Sequence, residues 1–219
     1  MARSPAIALV SGGLDSCVAA AIAADRGEVA FLHLNYRQRT ERRELEAFAA
    51  IADHYQVGRR LVVEVSYLQQ IGGSSLIDPA LPVPEGETEG VPSTYVPFRN
   101  ANLLGVAVAW AEVLGARRVY IGAHEEESQY PDCRAAFFAA YNRMIAQGTR
   151  PGARIRVETP LIALDKGAIV RRGVELGAPL HLTWSCYQRE DQACGRCHSC
   201  RLRLDGFARA GLPDPIPYC

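Results

Sequence analysis

Ala6-Ile7-Ala8-Leu9-Val10-Ser11-Gly12-Gly13-Leu14-Asp15-Ser16-Cys17 runs from a short apolar stretch through paired glycines into an Ala-rich segment that stops at Gly27. A continuous apolar run of this length suits a strand buried on both faces of a parallel sheet, and the segment after it reads as a helix over residues 17–26. Similar apolar runs recur at 29–34, 61–65, 119–123 and 154–158. Helical patterns lie between them at 40–55, 101–114, 132–146 and 166–176. The 101–114 segment is apolar nearly all round, so deep burial is expected of it. Regular alternation of this kind predicts an α/β fold with a doubly wound, mostly parallel five-stranded sheet and right-handed crossovers.

The glycine pair sits at the first strand–helix junction. Ligands bind there in open α/β sheets, in the crevice beyond the carboxyl ends of the strands. Paired glycines let the backbone approach a phosphate, and the helix start offers free amides and a positive dipole end. Val10, Ser11, Gly12, Gly13, Leu14, Asp15, Ser16 and Cys17 are therefore the candidate nucleotide-binding residues. Ser11 and Ser16 add hydroxyl donors, and Asp15 suits a magnesium ion or a nucleotide group. The string is neither a G-K-[ST] phosphate loop nor a G-x-G-x-x-G fingerprint.

The chain has 219 residues, enough for one α/β domain with a small appendage, and its 24 basic and 24 acidic residues cancel. That balance removes the general attraction for polyanions on which most nucleic-acid binders rely, so no direct nucleic-acid partner is expected. No run approaches the roughly 20 apolar residues that cross a bilayer. The first apolar run leads straight into the glycine loop, which argues against a signal peptide and for a cytoplasmic location. Two segments break the alternation: a Gly-, Pro-, Ser- and Glu-rich stretch at 71–97, expected as a lid, substrate loop or subunit contact, and the chain from His181 onward.

That last segment holds four of the seven cysteines, Cys186, Cys194, Cys197 and Cys200, in a C-x7-C-x2-C-x2-C array. In a reducing compartment such density points to metal and away from disulfides. Four thiolates with two-residue spacings describe a structural zinc site, and an iron–sulfur cluster is the alternative. His198, inside the array, reads as a solvent-facing bystander. Residues 1–180 are expected to form the ATP-binding α/β domain and 181–219 a four-cysteine zinc-binding segment packed on it. This segment could also bring Trp184, Ser185 or Tyr187 to the nucleotide pocket.

The string Ser11-Gly12-Gly13-Leu14-Asp15-Ser16 resembles the pyrophosphatase loop of the N-type ATP pyrophosphatases, which implies an adenine nucleotide alpha hydrolase-like (HUP) fold and adenylation of a substrate oxygen. Further strings narrow the likeness: Gln38-Arg39, Arg43-Glu44-Leu45-Glu46, Tyr95-Val96-Pro97-Phe98-Arg99-Asn100, Tyr130-Pro131-Asp132-Cys133-Arg134, Thr183-Trp184-Ser185-Cys186-Tyr187, and Cys194 through Cys200. Together they resemble the 7-cyano-7-deazaguanine synthase family. The resemblance implies conversion of 7-carboxy-7-deazaguanine, ammonia and ATP (with Mg²⁺) into the nitrile through an adenylated carboxylate and an adenylated amide, on the route to queuosine. It also implies one zinc per chain and a homodimer. Within it, Arg99 or Arg134 would fork onto the substrate carboxylate, Asp132 would accept from a guanine-like edge, and Lys166 would meet phosphate, beside Asp15 and Ser16 of the loop.

Phe98 stands where the family pattern has glycine, and Asn35-Tyr36-Arg37 replaces D-Y-G. Thr40 follows where histidine is common, and His124–Gln129 replaces a Ser-Gly string. These departures leave a related deazapurine open as the substrate. Two other classes fit the loop: a tRNA thiolase or lysidine-type ligase, the thiolase needing a catalytic cysteine pair such as Cys17 and Cys133, and a non-catalytic zinc-stabilised nucleotide-binding module.

Overall fold

In the computed structural model, which describes residues 5–85, 90–125 and 129–219, the first apolar run forms the middle strand of the sheet. Residues 86–89 of the long loop and 126–128 of the string after His124 lie outside the described residues. The strands are β1 (Ala6–Leu9), β2 (Val29–Asn35), β3 (Arg60–Glu64), β4 (Arg118–Tyr120) and β5 (Arg156–Glu158). They are ordered β3-β2-β1-β4-β5, and every pairing is parallel. The order reverses between β1 and β4, where Ile7 pairs with Val119 and Ala8 with Tyr120. A reversal opens a crevice at the carboxyl ends of the two strands, and that is where the glycine loop leaves β1.

Successive residues of the central strands feed opposite faces of the sheet. Ile7, Leu9, Ala30 and Leu32 join α4 (Arg99–Leu114) and α5 (Ala135–Gly148) through Leu104, Ala107, Phe138 and Ile145. Ala8, Val10 and Phe31 join α1 (Leu14–Asp25), α2 (Glu41–His54) and α6 (Lys166–Glu175) through Val18, Ile22, Phe48, Ile51 and Ile169. The edge strand β3 alternates exposed and half-buried residues, as a strand with one neighbour does.

Four differences from the sequence reading have local causes. Helix α1 begins at Leu14, three residues ahead of the expected start at 17, because the glycine loop is itself the entry to its first turn. The helix expected at 132–146 divides into a 3-10 turn (Pro131–Cys133) and α5, since Pro131 fixes the turn ahead of the helix. Helix α4 is not buried all round: Asn100, Ala101, Leu104, Ala107 and Ala111 face the core, while Val113 is 77% exposed. The 71–97 stretch is preceded by a short helix α3 (Tyr67–Ile71) and is anchored at several points, although Leu81 and Val91 stay exposed. Leu76, Ile77 and Val96 enter the core, Ser75 N–H donates to Ser93 O at 2.8 Å, and Arg39 Nε donates to Ser75 O at 2.7 Å.

The cysteine segment contains an element that the sequence reading lacked, helix α7 (His198–Ala210), which packs on α6. Its buried residues include Cys200, Arg203 and Phe207, an inward row anchored more by sulfur and charge than by aliphatic side chains. Arg203 is completely buried and grips Asp214 with two bonds of 2.8 and 3.0 Å, Thr183 Oγ1 at 2.6 Å and Leu180 O at 3.2 Å. A buried guanidinium persists only when its donors are met in this way.

Candidate active site

The crevice at the sheet reversal is a cavity of about 250 Å³. Its floor is the glycine loop. Gly12 has φ of 88°, and a Cβ on it would lie 2.5 Å from the Glu44 carbonyl oxygen. Only glycine meets both constraints. A Cβ on Gly122, just after β4, would lie 2.5 Å from Asp15 C and 2.6 Å from Asp15 O and Ser16 N. These two glycines bring α2 and the end of β4 against the loop. Ser16 Oγ locks the turn by donating to Gly13 O at 2.9 Å while accepting from Ser11 N–H at 3.2 Å. No side chain caps α1, so its first-turn amides stay available to an anion.

Val10, Ser11, Gly13, Leu14, Asp15 and Ser16 line the cavity. Gly12 serves it from below, its carbonyl accepting from Trp184 N–H at 2.8 Å. Cys17 points the other way. It is fully buried within the α1 side of the core, and burial pushes its thiol up to about 12, so it supplies no thiolate.

Lys166, at the start of α6, reaches the loop from the far end of the chain. Its Nζ lies 2.7 and 2.6 Å from the two Asp15 carboxylate oxygens. Gly206 on α7 leaves room for its stem, since a Cβ there would lie 2.6 Å from Lys166 Cγ. Burial pushes the Asp15 carboxyl up, but the Lys166 ammonium and His124 outweigh it, and the net shift is downward. His124 Nε2 stands 3.4 Å from Lys166 Nζ. Burial, and then Lys166, push His124 down to about 4, so it is neutral near pH 7, with Nδ1 buried and unpartnered among the described residues.

The other half of the cavity is aromatic. Arg99 enters it from the first residue of α4 and donates to Tyr36 OH at 3.0 Å. Its guanidinium lies 5.6 Å from the Tyr36 ring centroid and 5.9 Å from that of Tyr130, and Tyr187 completes the wall. Glu44 also faces this space. Its carboxylate accepts from Thr40 Oγ1 at 2.8 Å and Gln38 Nε2 at 3.0 Å, and burial pushes it up to about 7 against those two hydrogen bonds.

The structure does not bring Asp132 and Arg134 to this cavity. Asp132 is buried; its Oδ2 accepts from Asn100 N–H at 2.8 Å and its carbonyl from Asn100 Nδ2 at 2.9 Å, so it caps the start of α4. Arg134 is exposed at the start of α5. The 3-10 turn between them and Tyr130 decides these directions, which residue spacing alone does not encode. Cys133 does line the cavity, with Asn100 Nδ2 at 3.3 Å from its sulfur.

Phe98 is 60% exposed and turns away, its ring edge-on to Phe137 at 6.2 Å, so its bulk does not obstruct Arg99. Its φ is 56° and that of Arg37 is 64°. Both departures from an expected glycine therefore fall where the backbone is left-handed, which costs an L-residue about 1–2 kcal/mol.

Cys186, Cys194, Cys197 and Cys200 are buried, and their four Sγ atoms all lie within 4.8 Å of one another. Gln188 and Cys194 N–H donate to Cys186 Sγ at 3.4 Å, and Cys197 N–H to Cys194 Sγ at 3.3 Å. Sulfurs gathered and solvated in this way fit a single metal ion. The cluster and its flanks form one wall of the cavity: Trp184 and Ser185 before it, Tyr187 and Ser199 within it, and Leu202 after it. His198, half-buried, belongs to that wall as well and stands outside the cysteine group. Glu44 and His124 were also missed as site residues. The position of His124, just beyond the fourth strand, was the available signal.

The chain is similar to proteins of known family. The chain matches the family described as Queuosine biosynthesis protein QueC over residues 5–211. A 7-cyano-7-deazaguanine synthase of Chlorobium phaeobacteroides is 55% identical over 217 residues, covering 97% of this chain and 96% of the relative. One from Chlorobaculum tepidum is 54% identical with the same coverage. Among solved structures, an NMN synthetase from Francisella tularensis superposes with a TM-score of 0.46 at 15% identity, covering 88% of this chain and 71% of that one. No described helix is long and apolar enough to cross a membrane. With a family match across the loop, the aromatic wall and the cysteine array together, the chain belongs to the QueC family of queuosine biosynthesis proteins.

Proposed function

We propose that this chain is an ATP-dependent 7-cyano-7-deazaguanine synthase, which converts 7-carboxy-7-deazaguanine and ammonia into the nitrile. The observation that carries this reading is a single cavity with a phosphate loop at one end and Arg99 among tyrosines at the other. The α1 amides, Ser11 and Ser16 receive the ATP phosphates. Arg99 forks onto the carboxylate of the planar substrate, and Tyr36, Tyr130 and Tyr187 pack its rings. A carboxylate oxygen then attacks the α-phosphorus, pyrophosphate leaves, and ammonia displaces AMP to give the amide. The amide oxygen then attacks the α-phosphorus of a second ATP, pyrophosphate leaves, and loss of AMP together with the two amide N–H protons gives the nitrile. Asp15, with 23% of its side chain exposed, suits a Mg²⁺ shared with ATP phosphates, and that ion would neutralise charge on the pyrophosphate. Lys166 supplies a positive charge at the same place. Asp132 acts at one remove, by holding the end of α4 from which Arg99 projects.

The four cysteines hold zinc in this reading. A tetrahedron with Zn–S of about 2.3 Å has edges of roughly 3.8 Å. The Cys194–Cys200 sulfur distance of 3.9 Å supports that size, whereas a four-iron cluster must fit between its thiolates and holds them further apart. Metal analysis should find one zinc per chain, and a visible absorbance band would overturn the assignment. Apolar residues left on the surface, Val113 on α4 with Ile71, Val91 and Phe98, support a homodimer, which light scattering tests.

The deciding experiment supplies 7-carboxy-7-deazaguanine, ammonium and Mg-ATP without RNA. Pyrophosphate, AMP and the nitrile are expected. Their absence, with AMP release driven by tRNA instead, would overturn the reading.

A further inference from the structure

One carboxylate in the cavity has no role in the scheme above. Glu44 lies in the first turn of α2, and its backbone carbonyl abuts Gly12, so its side chain stands where the phosphate loop meets the aromatic half of the site. That junction is where the acyl-AMP bond has to form. The only other carboxylate among the described lining residues is Asp15, and both of its oxygens are engaged by Lys166. Among the described residues Glu44 is bonded only to neutral donors, the Thr40 hydroxyl and the Gln38 amide, and each leaves lone pairs free on the oxygen it contacts. A carboxylate oriented by two neutral donors, with Arg99 facing it but not hydrogen-bonded to it among the described residues, is built to receive a proton.

Amide formation requires such a receiver. The ammonia lone pair forms the C–N bond, the C–O bond to AMP breaks with its electron pair leaving on the AMP phosphate oxygen, and the new nitrogen must shed a proton. We propose that a Glu44 carboxylate oxygen takes that N–H proton, which makes Glu44 the general base of the amide-forming step. This rests on the function proposed above and deepens it. Burial, which raises Glu44 to about 7, keeps both of its forms populated at neutral pH, where proton transfer is most effective. The charged and titratable groups facing it are Glu41 on its own helix, Arg99 from α4 and Tyr36 at the end of β2.

The test separates adenylation from amidation. Substrate-dependent exchange of pyrophosphate into ATP, measured without ammonium, reports the first step. Glu44→Gln can keep the local bonds, donating to Thr40 and accepting from Gln38, so exchange should stay within a few-fold of the unaltered protein. Ammonium-dependent amide formation should fall about 100-fold or more. Hydroxylamine, largely unprotonated at neutral pH, should restore part of the loss, and Glu44→Asp should retain part of the ammonium rate. In the unaltered protein, kcat at saturating ammonium should rise with pH through about 7 while exchange does not. Exchange lost in step with amidation, amidation unchanged in Glu44→Gln, or no such rise in kcat overturns the assignment. Absence of exchange in the unaltered protein would instead overturn the proposed function itself.

Discussion

Replacing Gly122 by alanine places a methyl group where the backbone of the glycine loop already lies. The new Cβ would fall 2.5 Å from Asp15 C and 2.6 Å from Asp15 O and Ser16 N, against 3.4 Å or more for an ordinary contact. Relief therefore requires a displacement of about 0.9 Å, and the obstructing atoms are main chain in the first turn of α1, not the end of a flexible side chain. Overpacking of this kind costs about 1–3 kcal/mol. For a chain of this size that lowers the thermal midpoint by roughly 2–12 °C. The larger effect falls on activity, because the shift moves the Asp15 carboxylate and Ser16 hydroxyl relative to everything carried by β4, including His124. A misplacement near 1 Å costs about 100-fold in rate. Substrate-dependent pyrophosphate release should fall by that order in Gly122→Ala, whereas Gly58→Ala, whose Cβ meets nothing within 4 Å, should leave it unchanged. If Gly122→Ala stays within about twofold in activity and about 1 °C in midpoint, the close approach does not position the loop.

Three further perturbations follow from the same geometry. Arg203→Met leaves Asp214 buried without its cation, which should cost about 3–5 kcal/mol and lower the thermal midpoint by on the order of 10 °C; an unchanged midpoint would mean that the pair contributes nothing to holding α7. Phe98→Gly relieves a left-handed phenylalanine and should raise stability by up to about 1 kcal/mol with turnover intact, whereas a large loss of turnover would place the ring in catalysis. Glu44 titrates near 7 in the folded chain against 4.5 as a free side chain, so the native state holds a proton that the unfolded chain has already lost. Its contribution is therefore complete below 4.5 and is lost as pH rises through about 7. Glu44→Gln, which cannot ionise, should lose less stability than the unaltered protein between about pH 5 and pH 8 in urea titrations, and parallel curves would count against a buried Glu44.

Some features of this protein are local and can be read without coordinates. Strand β1 is apolar on both faces, so its place inside a parallel sheet follows from Ile7, Ala8 and Leu9 alone. The glycine loop announces itself because its chemistry needs particular residue types at consecutive positions. Cys194, Cys197 and Cys200 do the same, since two-residue spacings bring sulfurs together within a turn. Helix α7 escaped notice because its inward row uses cysteine and a fully buried arginine, and Arg203 is compatible with burial only once Asp214 is folded against it.

Fold class, the glycine loop at the first strand–helix junction and the gathering of the four cysteines were thus legible in the sequence, because each depends on interactions within a few residues of chain. Which distant side chains share the cavity was decided only by the tertiary structure. Asp132 and Arg99 both belong to strings that mark the family, yet a 3-10 turn and the start of α4 spend the one as a helix cap and send the other into the site. Lys166 meets Asp15 across 151 positions of sequence, and Glu44 reaches the loop only because Gly12 lets α2 approach it. Direction and distance of this kind are set by how helices pack across a sheet, and no residue's identity carries them.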